Sequence, residues 1–136
     1  MSDFPQQHQQ LKIQKRILQC EDDLVIWIQD ALDKTNYGDL EESQFRNLLR
    51  VADTTDSAEV IKNFIRYQVG RDKKWGRGKD SLAEKIILHI DNDIKKASQK
   101  IAGDYQAEYK PICLELIRRY LGYGARHLKY KREGAA

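Results

Sequence analysis

The amino-acid sequence predicts an all-α protein, a compact bundle of about five helices. Only two of its 136 residues are proline, and residues that favour helices are abundant. Apolar residues recur at spacings of three and four along most of the chain, and no run alternates between apolar and polar residues as a strand does. We therefore expect a single helical domain over residues 1–136, with a flexible arm at 1–8 and a flexible tail at 131–136.

The first helical pattern runs from about Gln9 to Lys34. The three acids at 21–23 are suited to start a second segment, because negative charge is favoured at a helix N-terminus. This stretch is therefore predicted as one long or broken helix. The turn residues Asn36, Tyr37 and Gly38 end it.

Two shorter helices follow, one from about Glu41 to Ala52 and one from Ala58 to about Asp72. Asp56 or Ser57 is suited to cap the second of these. After it, the sequence KKWGRGKD at 73–80 combines two glycines with dense positive charge, which predicts a mobile basic loop.

Two further helices complete the predicted bundle. Asp80 or Ser81 caps a helix with a clear apolar stripe, which runs to about Ala102 and ends at Gly103. The last helix begins near Tyr109, where a proline at position 111 is accepted in the first turn.

The motifs of common catalytic and metal sites are missing from the sequence. Gly78-Lys79 lacks the glycine offset and the following Ser or Thr of a nucleotide-binding loop. The three histidines are isolated from one another, and Cys20 and Cys113 have no CxxC partner, so we expect buried thiols rather than metal ligands. No Arg-x4-His pair of small helical ribonucleases occurs. We predict no catalytic residue, no metal site, no cofactor and no enzymatic activity.

Segments for targeting or membrane insertion are also not predicted. The N-terminal ten residues are polar and lack the pattern of a signal peptide. No apolar run approaches the roughly 18 residues that a membrane span needs. We expect a cytoplasmic protein without a membrane partner.

Charge is segregated along the chain, although the net formal charge is only +3. Residues 21–42 hold eight acids and one base, residues 62–79 hold seven bases and one acid, and residues 118–132 hold six bases and no acid. This distribution predicts a molecule with one basic face and one acidic face.

Aromatic residues are interleaved with both basic stretches. Lys and Arg attract phosphate and release counterions, and aromatic side chains stack on unpaired bases, so the pattern favours nucleic-acid contact, mostly to the backbone. The candidate nucleic-acid-binding residues are Arg46, Arg50, Lys62, Arg66, Arg71, Lys73, Lys74, Arg77, Lys79, Arg119, Arg126 and Lys129. In the competing interpretation, about half of the tyrosines belong to the core, and the arginines are solvated or pair with the acidic stretch of a neighbour.

Three segments, in order along the chain, carry a family resemblance: ESQFRNLL at 42–49, FIRYQVGR at 64–71 and YLGYGARHLKY at 120–130. Together they resemble the small subunit of type III CRISPR–Cas effector complexes of the Csm kind. Gly122 and Arg126 stand where that family usually has an acidic or an apolar residue, and the loop around Trp75 looks like an insertion.

The resemblance implies a non-catalytic subunit that stacks in several copies as a filament along the duplex of guide RNA and target RNA. It also implies contacts with the backbone subunits and the large signalling subunit of the complex. Carried over by motif, Arg46 and Arg71 would face the RNA. The main alternative is a helical protein–protein adaptor with no direct RNA contact. A small helical nuclease is the third, and the missing acid/base constellation argues against it.

Overall fold

The computed structural model describes residues 3–135, which form six helices and contain no β-strand. The helices are α1 (Asp3–Gln19), α2 (Glu21–Lys34), α3 (Glu42–Thr54), α4 (Ala58–Arg71), α5 (82–102) and α6 (109–134). Helix α5 consists of Leu82–Leu88, a π-helical segment His89–Ile94 and Lys95–Ala102, and α6 consists of Tyr109–Lys129 and a π-helical turn Tyr130–Gly134. A 3₁₀ turn, Gln106–Glu108, precedes α6. The predicted all-α class is confirmed, with six helices rather than about five.

The additional helix arises at Cys20, where the stretch predicted as one long or broken helix divides into α1 and α2. The three acids that follow Cys20 occupy the first turn of α2, where the helix dipole favours them. Helix α1 begins at Asp3 rather than near Gln9, so residues 3–8 of the predicted arm are helical, while residues 1 and 2 lie outside the described range.

The core is one contiguous apolar cluster to which all six helices contribute. Helix α6 packs chiefly on α2 and α3 and supplies nine buried residues to this cluster. Helix α1 is attached more lightly: Ile13 and Ile17 are buried, whereas the side chains of residues 4–12 are exposed apart from half-buried Gln9. The first half of α1 therefore extends into solvent.

Polar side chains cap the N-termini of three helices. Glu41 and Gln44 form a reciprocal capping box at α3, in which Gln44 Oε1 accepts a hydrogen bond from the Glu41 backbone N–H at 2.7 Å. Ser57 Oγ accepts from the Val60 N–H at α4, and Ser81 Oγ accepts from the Glu84 N–H at α5. The sequence predicted an aspartate or a serine as the cap of α4 and of α5, and in both helices the serine is the cap.

The loop between α4 and α5, predicted to be mobile, is anchored to the segment between α2 and α3. The Gly38 N–H donates to the Lys74 carbonyl at 3.0 Å, and Asn36 both donates to the Asp80 carbonyl and accepts from the Leu82 N–H. These three backbone hydrogen bonds hold the loop against the segment between α2 and α3.

Two residues of this loop, Trp75 and Gly76, lie tightly against the rest of the bundle. Trp75 is 1% exposed, and its ring centroid lies 5.0 Å from that of Phe45 on α3. Gly76 has a φ of +79°, and a Cβ atom there would stand 2.2 Å from the Asn36 carbonyl oxygen. The tryptophan expected in an exposed basic loop instead ties the loop to the bundle.

The C-terminal end of α6 is likewise engaged. Residues 130–134 continue the helix as a π turn rather than forming the predicted tail, and Ala136 lies outside the described residues. Lys131 Nζ donates to the Leu32 carbonyl at 3.1 Å, and Arg132 Nε donates to the Leu40 carbonyl at 2.9 Å. Within residues 3–135, no helix combines the length and the apolar character that crossing a membrane requires.

Candidate nucleic-acid interface

The basic stretch at 118–132 is largely used to hold the bundle together. Arg118 Nε donates to the Ala52 carbonyl at 2.9 Å, and its Nη2 donates to the Thr55 carbonyl at 3.2 Å. These carbonyls belong to the C-terminal end of α3, whose last C=O groups have no partner inside the helix. Arg118 therefore serves as a tertiary cap rather than as a surface charge.

Acids of α2 pair with bases of α6 in the same molecule. Arg119 bridges Glu21 at 3.0 Å and Glu115 at 2.7 Å, and the Tyr123 hydroxyl donates to Glu21 Oε2 at 2.8 Å. Burial and this hydrogen bond to Glu21 raise the pKa of Tyr123 above its ordinary value. The predicted site residue Arg119 is thus half-buried between two carboxylates.

The same pairing recurs around Asp33, near the C-terminal end of α2. Asp33 Oδ1 lies 3.0 Å from His127 Nε2 and 2.9 Å from Lys131 Nζ. Hydrogen bonds from His127 and then Lys131 lower the pKa of the Asp33 carboxyl. The predicted acidic and basic faces therefore partly neutralise each other along the α2–α6 contact. On α6, Arg126 is exposed beside Tyr123, and Lys129 is exposed and paired with Glu133.

Lys62 was predicted as a nucleic-acid-binding residue, but it is not on the exposed surface. It is only 7% exposed, and its ammonium lies 2.6 Å from Asp91 Oδ1 and also contacts Glu59. Burial lowers the pKa of Lys62, but hydrogen bonds and charges from these two carboxylates outweigh burial and raise the pKa overall. Lys62 follows the buried Ile61 by one residue and precedes the buried Ile65 by three, so it lies at the edge of the apolar face of α4. It is therefore turned towards Asp91 of α5 and is not available to RNA here.

The remaining candidates lie on α3, on α4 and in the loop after α4. Arg46 pairs with Glu42 at 2.8 Å, and Arg50 donates to Asn47 at 3.0 Å. Five bases lie at the end of α4 and in the loop, and we call them the basic rim: Arg71, Lys73, Lys74, Arg77 and Lys79. In residues 3–135 none of these five forms an ion pair, and all are exposed except half-buried Lys74.

A small cleft between α3 and α4 adjoins the basic rim. This α3/α4 cleft has a volume of about 140 Å³ and is lined by Gln44, Asn47, Gln68, Arg71, Asp72, Lys74 and Trp75. It brings together two predicted site residues, Arg71 and Lys74. The three amides were not among the predicted site residues. Their signal in the sequence is the i, i+3 spacing of Gln44 with Asn47 and of Gln68 with Arg71, which places each pair on one helix face.

Two other predicted residues are not brought to this cleft. Arg46 precedes Asn47 by one residue and so points about 100° away from it around α3. It contacts Glu42, which lines a separate cleft with Lys129 and Arg132. Arg66 is exposed on α4, about 140° around the helix from Arg71.

Most aromatic side chains of the basic stretches are not available for base stacking. Tyr120 is buried, and its hydroxyl lies 2.6 Å from His89 Nδ1. Trp75 is also buried and Tyr123 is held by Glu21, which leaves Tyr67 and Tyr130 exposed. The arrangement is therefore suited to phosphate contact more than to stacking on bases.

The possible metal ligands and the two cysteine thiols do not form a metal site in the described residues. Among the residues that the structure describes, no three His, Cys, Asp or Glu side chains are grouped so as to hold a metal ion. Cys20 and Cys113 are free and buried, as predicted, and burial raises the pKa of both thiols.

Comparison with known proteins adds no family assignment. No protein-family model, curated protein or solved structure matches this chain. The resemblance to the small subunits of type III CRISPR–Cas effector complexes accordingly stays a prediction, carried by the three sequence segments at 42–49, 64–71 and 120–130.

Proposed function

We propose that this protein is a non-catalytic, cytoplasmic small subunit of a type III CRISPR RNA-guided effector complex, and that it contacts the RNA backbone through the basic rim. The observation that carries the proposal is the basic rim itself. Five bases fall within residues 71–79, and none of them is neutralised by a carboxylate of the described chain. The three family-like segments and the all-α bundle agree with this proposal.

The chemistry of the basic rim suits a polyanion whose sequence is not read. Lys and Arg neutralise phosphates and release condensed counterions, which gives an affinity that depends steeply on salt. Phosphate contacts position a protein on nucleic acid without specifying bases. The proposed partners are the guide RNA and target RNA, the backbone and large signalling subunits, and further copies of the chain, with sequence selection left to the guide.

A charge-matched pair of variants tests the RNA contact. The variant Arg71→Gln/Lys73→Gln/Lys79→Gln removes three charges from the basic rim. The control Lys12→Gln/Lys15→Gln/Lys96→Gln removes three equally exposed charges from α1 and α5, which also lack ion pairs in the described chain. We expect the rim variant alone to lose affinity for labelled single-stranded RNA in fluorescence anisotropy.

The salt dependence gives a second readout of the same experiment. If the three rim residues each contact a phosphate, the slope of log affinity against log salt falls by about two units in the rim variant. Equal affinities and slopes for the two triple variants would assign any RNA binding to net charge rather than to the basic rim, and would contradict the proposal.

The cellular assembly is tested by gentle affinity purification of the tagged protein from its native host. We expect short RNAs that carry CRISPR repeat tags, together with backbone and large subunits identified by mass spectrometry. Recovery of protein partners without RNA would contradict the proposal and would support the adaptor alternative.

One observation favours that alternative, a helical adaptor with no direct RNA contact. Phe4, Leu11 and Leu18 recur every seven residues along α1 and are 73%, 71% and 52% exposed. A seven-residue repeat places them on one side of the helix, as in a helix that packs against another helix. In the adaptor case, Phe4→Ser/Leu11→Ser/Leu18→Ser abolishes partner recovery, while the rim variant leaves it unchanged.

A further inference from the structure

Two of the three amides that line the α3/α4 cleft, those of Gln44 and Asn47, present hydrogen-bond donors because their oxygens are already used. Gln44 Oε1 accepts from the Glu41 backbone N–H at 2.7 Å, which fixes the amide and leaves its NH₂ group as a donor. Asn47 Oδ1 accepts from Arg50 Nη1 at 3.0 Å, which leaves the Asn47 NH₂ group as a donor as well. Since neither a backbone N–H nor a guanidinium accepts hydrogen bonds, both orientations follow from chemistry.

Trp75, which also lines the cleft, carries a donor that is unsatisfied in the described part of the chain. This side chain lines the cleft while being almost completely buried, and its indole Nε1–H has no hydrogen-bond partner in residues 3–135. A buried donor without a partner costs about 1–3 kcal/mol. A ligand oxygen against Trp75 would supply that partner.

The charged groups of the cleft favour an anion. Arg71 and Lys74 contribute positive side chains from α4 and the loop. The one carboxylate, Asp72, already uses Oδ1 to accept from the Lys74 backbone N–H at 2.9 Å. Among the described residues, donors therefore outnumber the free acceptors of the cleft, which are the Gln68 amide oxygen and Asp72 Oδ2. This balance suits an oxyanion better than a nucleobase edge, which presents donors as well as acceptors.

We propose that the α3/α4 cleft binds a single phosphate group. Arg71 and Lys74 supply the charge, and the N–H donors of Gln44, Asn47 and Trp75 supply the directed hydrogen bonds. The small volume fits one tetrahedral oxyanion and excludes a base pair. The inference rests on the proposed function only for the source of the phosphate, because inorganic phosphate offers the same chemistry as a phosphodiester of RNA.

An isosteric double variant tests the donors without changing the shape of the cleft. Asn47→Asp/Gln44→Glu keeps the oxygens that serve Arg50 and Glu41, and replaces each donor NH₂ group with a carboxylate oxygen. The control Asn92→Asp/Gln99→Glu adds the same two charges at exposed positions of α5. We expect the cleft variant to bind single-stranded polyuridylate roughly tenfold or more weakly than the control.

The Trp75 indole resonance reports occupancy directly. In a Trp27→Phe background Trp75 is the one remaining tryptophan, so ¹H–¹⁵N spectra contain a single indole N–H signal. We expect this signal to shift on addition of inorganic phosphate or polyuridylate, and not to shift in Asn47→Asp/Gln44→Glu. A shift with both ligands supports a general phosphate site, and a shift with polyuridylate alone supports a site for the RNA backbone.

The remaining outcomes separate this inference from the proposed function. A shift with inorganic phosphate in a protein that does not bind RNA supports the phosphate site and contradicts the RNA-binding function. RNA binding without a shift, and with equal affinities for the cleft variant and its control, overturns the phosphate site and leaves the basic rim in place.

Discussion

Gly124 of α6 lies so close to Phe45 of α3 that a Cβ atom on the glycine would stand 2.6 Å from Phe45 Cε1. The same Cβ would stand 2.8 Å from Ile28 Cγ1 on α2. Phe45 and Ile28 are fully buried, so neither has room to withdraw. The close approach of α6 to both of its main neighbours therefore depends on the missing side chain.

Replacing Gly124 with alanine should destabilise the protein. Overpacking of a filled core costs about 1–3 kcal/mol, which exceeds the gain of up to about 1 kcal/mol that alanine brings within a helix. Gly122→Ala is the matched control, because nothing lies within 4 Å of a Cβ atom there. Urea denaturation should show a lower free energy of unfolding for Gly124→Ala, and an equal or higher one for Gly122→Ala. Equal effects at both positions would refute the close-contact explanation.

The stability of the fold should depend on pH through His89. His89 is buried beside Tyr120, with Asp93, Lys85 and Asp30 as the nearby charges, and burial lowers the pKa of its imidazole. The unfolded chain, with an ordinary pKa of about 6.5, then binds the proton more readily than the folded chain. This contribution to stability is complete above pH 6.5 and is lost as the pH falls from there towards the lowered folded pKa.

The measurement is urea denaturation of the wild type and His89→Gln between pH 7.5 and pH 5. We expect the wild type to lose more stability across this range than His89→Gln, because glutamine does not titrate. His8→Gln, at an exposed position of α1, is the control and should follow the wild type. The quantity to compare is the change in the free energy of unfolding with pH, because the substitution also removes the hydrogen bond to Tyr120 at every pH.

The anchored loop should respond differently to alanine at its two glycines. Gly76 and Gly78 both have a positive φ, of 79° and 85°, which costs an L-residue about 1–2 kcal/mol. A Cβ atom on Gly76 would also collide with the Asn36 carbonyl oxygen, whereas the space around Gly78 is open. Gly76→Ala should therefore destabilise the protein more than Gly78→Ala does.

Fluorescence of Trp75 in the Trp27→Phe background checks this expectation. Gly76→Ala should red-shift the emission and increase quenching by acrylamide, because displacement of the loop exposes the indole. Gly78→Ala should leave both quantities near those of the parent. Trp75 emission that is unchanged in Gly76→Ala would mean that the contact with Asn36 does not hold the loop in place.

Arg118 should contribute to stability rather than to RNA binding. Arg118→Met removes the hydrogen bonds to the Ala52 and Thr55 carbonyls, and we expect a loss of about 1–3 kcal/mol in the free energy of unfolding. The control Arg126→Met removes an exposed arginine from the same helix, at a cost of about 0.5 kcal/mol or less. A loss of RNA affinity in Arg118→Met, at unchanged stability, would overturn this assignment.

The sequence was sufficient to predict the helices because each has its own local signals. Apolar spacing located the helical stretches, and Ser57, Ser81 and Gly103 mark ends that the structure confirms. The sequence left open whether the first helix is continuous or broken, because the acids that follow Cys20 are compatible with both. The helical start of α1 was missed because residues 4–8 are exposed and contain one large apolar residue, Phe4, which is too few to set a period.

The candidate site was less predictable, because exposure depends on tertiary contacts. Lys62 and Arg66 are indistinguishable as bases in the sequence, yet one is buried against Asp91 and the other is exposed. Trp75 lies between lysines and glycines in the sequence. That it belongs to the core is shown only by its contact with Phe45, which is remote from it along the chain. Charge composition locates basic segments, whereas pairing between helices decides which bases stay accessible.

The position of α6 in the chain has a consequence for synthesis. This helix covers the apolar faces of α2 and α3, and its Lys131 binds the Leu32 carbonyl from almost a hundred residues downstream. A ribosome adds about 5–20 residues per second, so the synthesis of α6 is completed roughly 5–20 s after that of α2. During that time Leu24 and Ile28 are exposed on the nascent chain. Yield in the cell should therefore depend on chaperones that shield nascent apolar helices, even though the finished bundle is well packed.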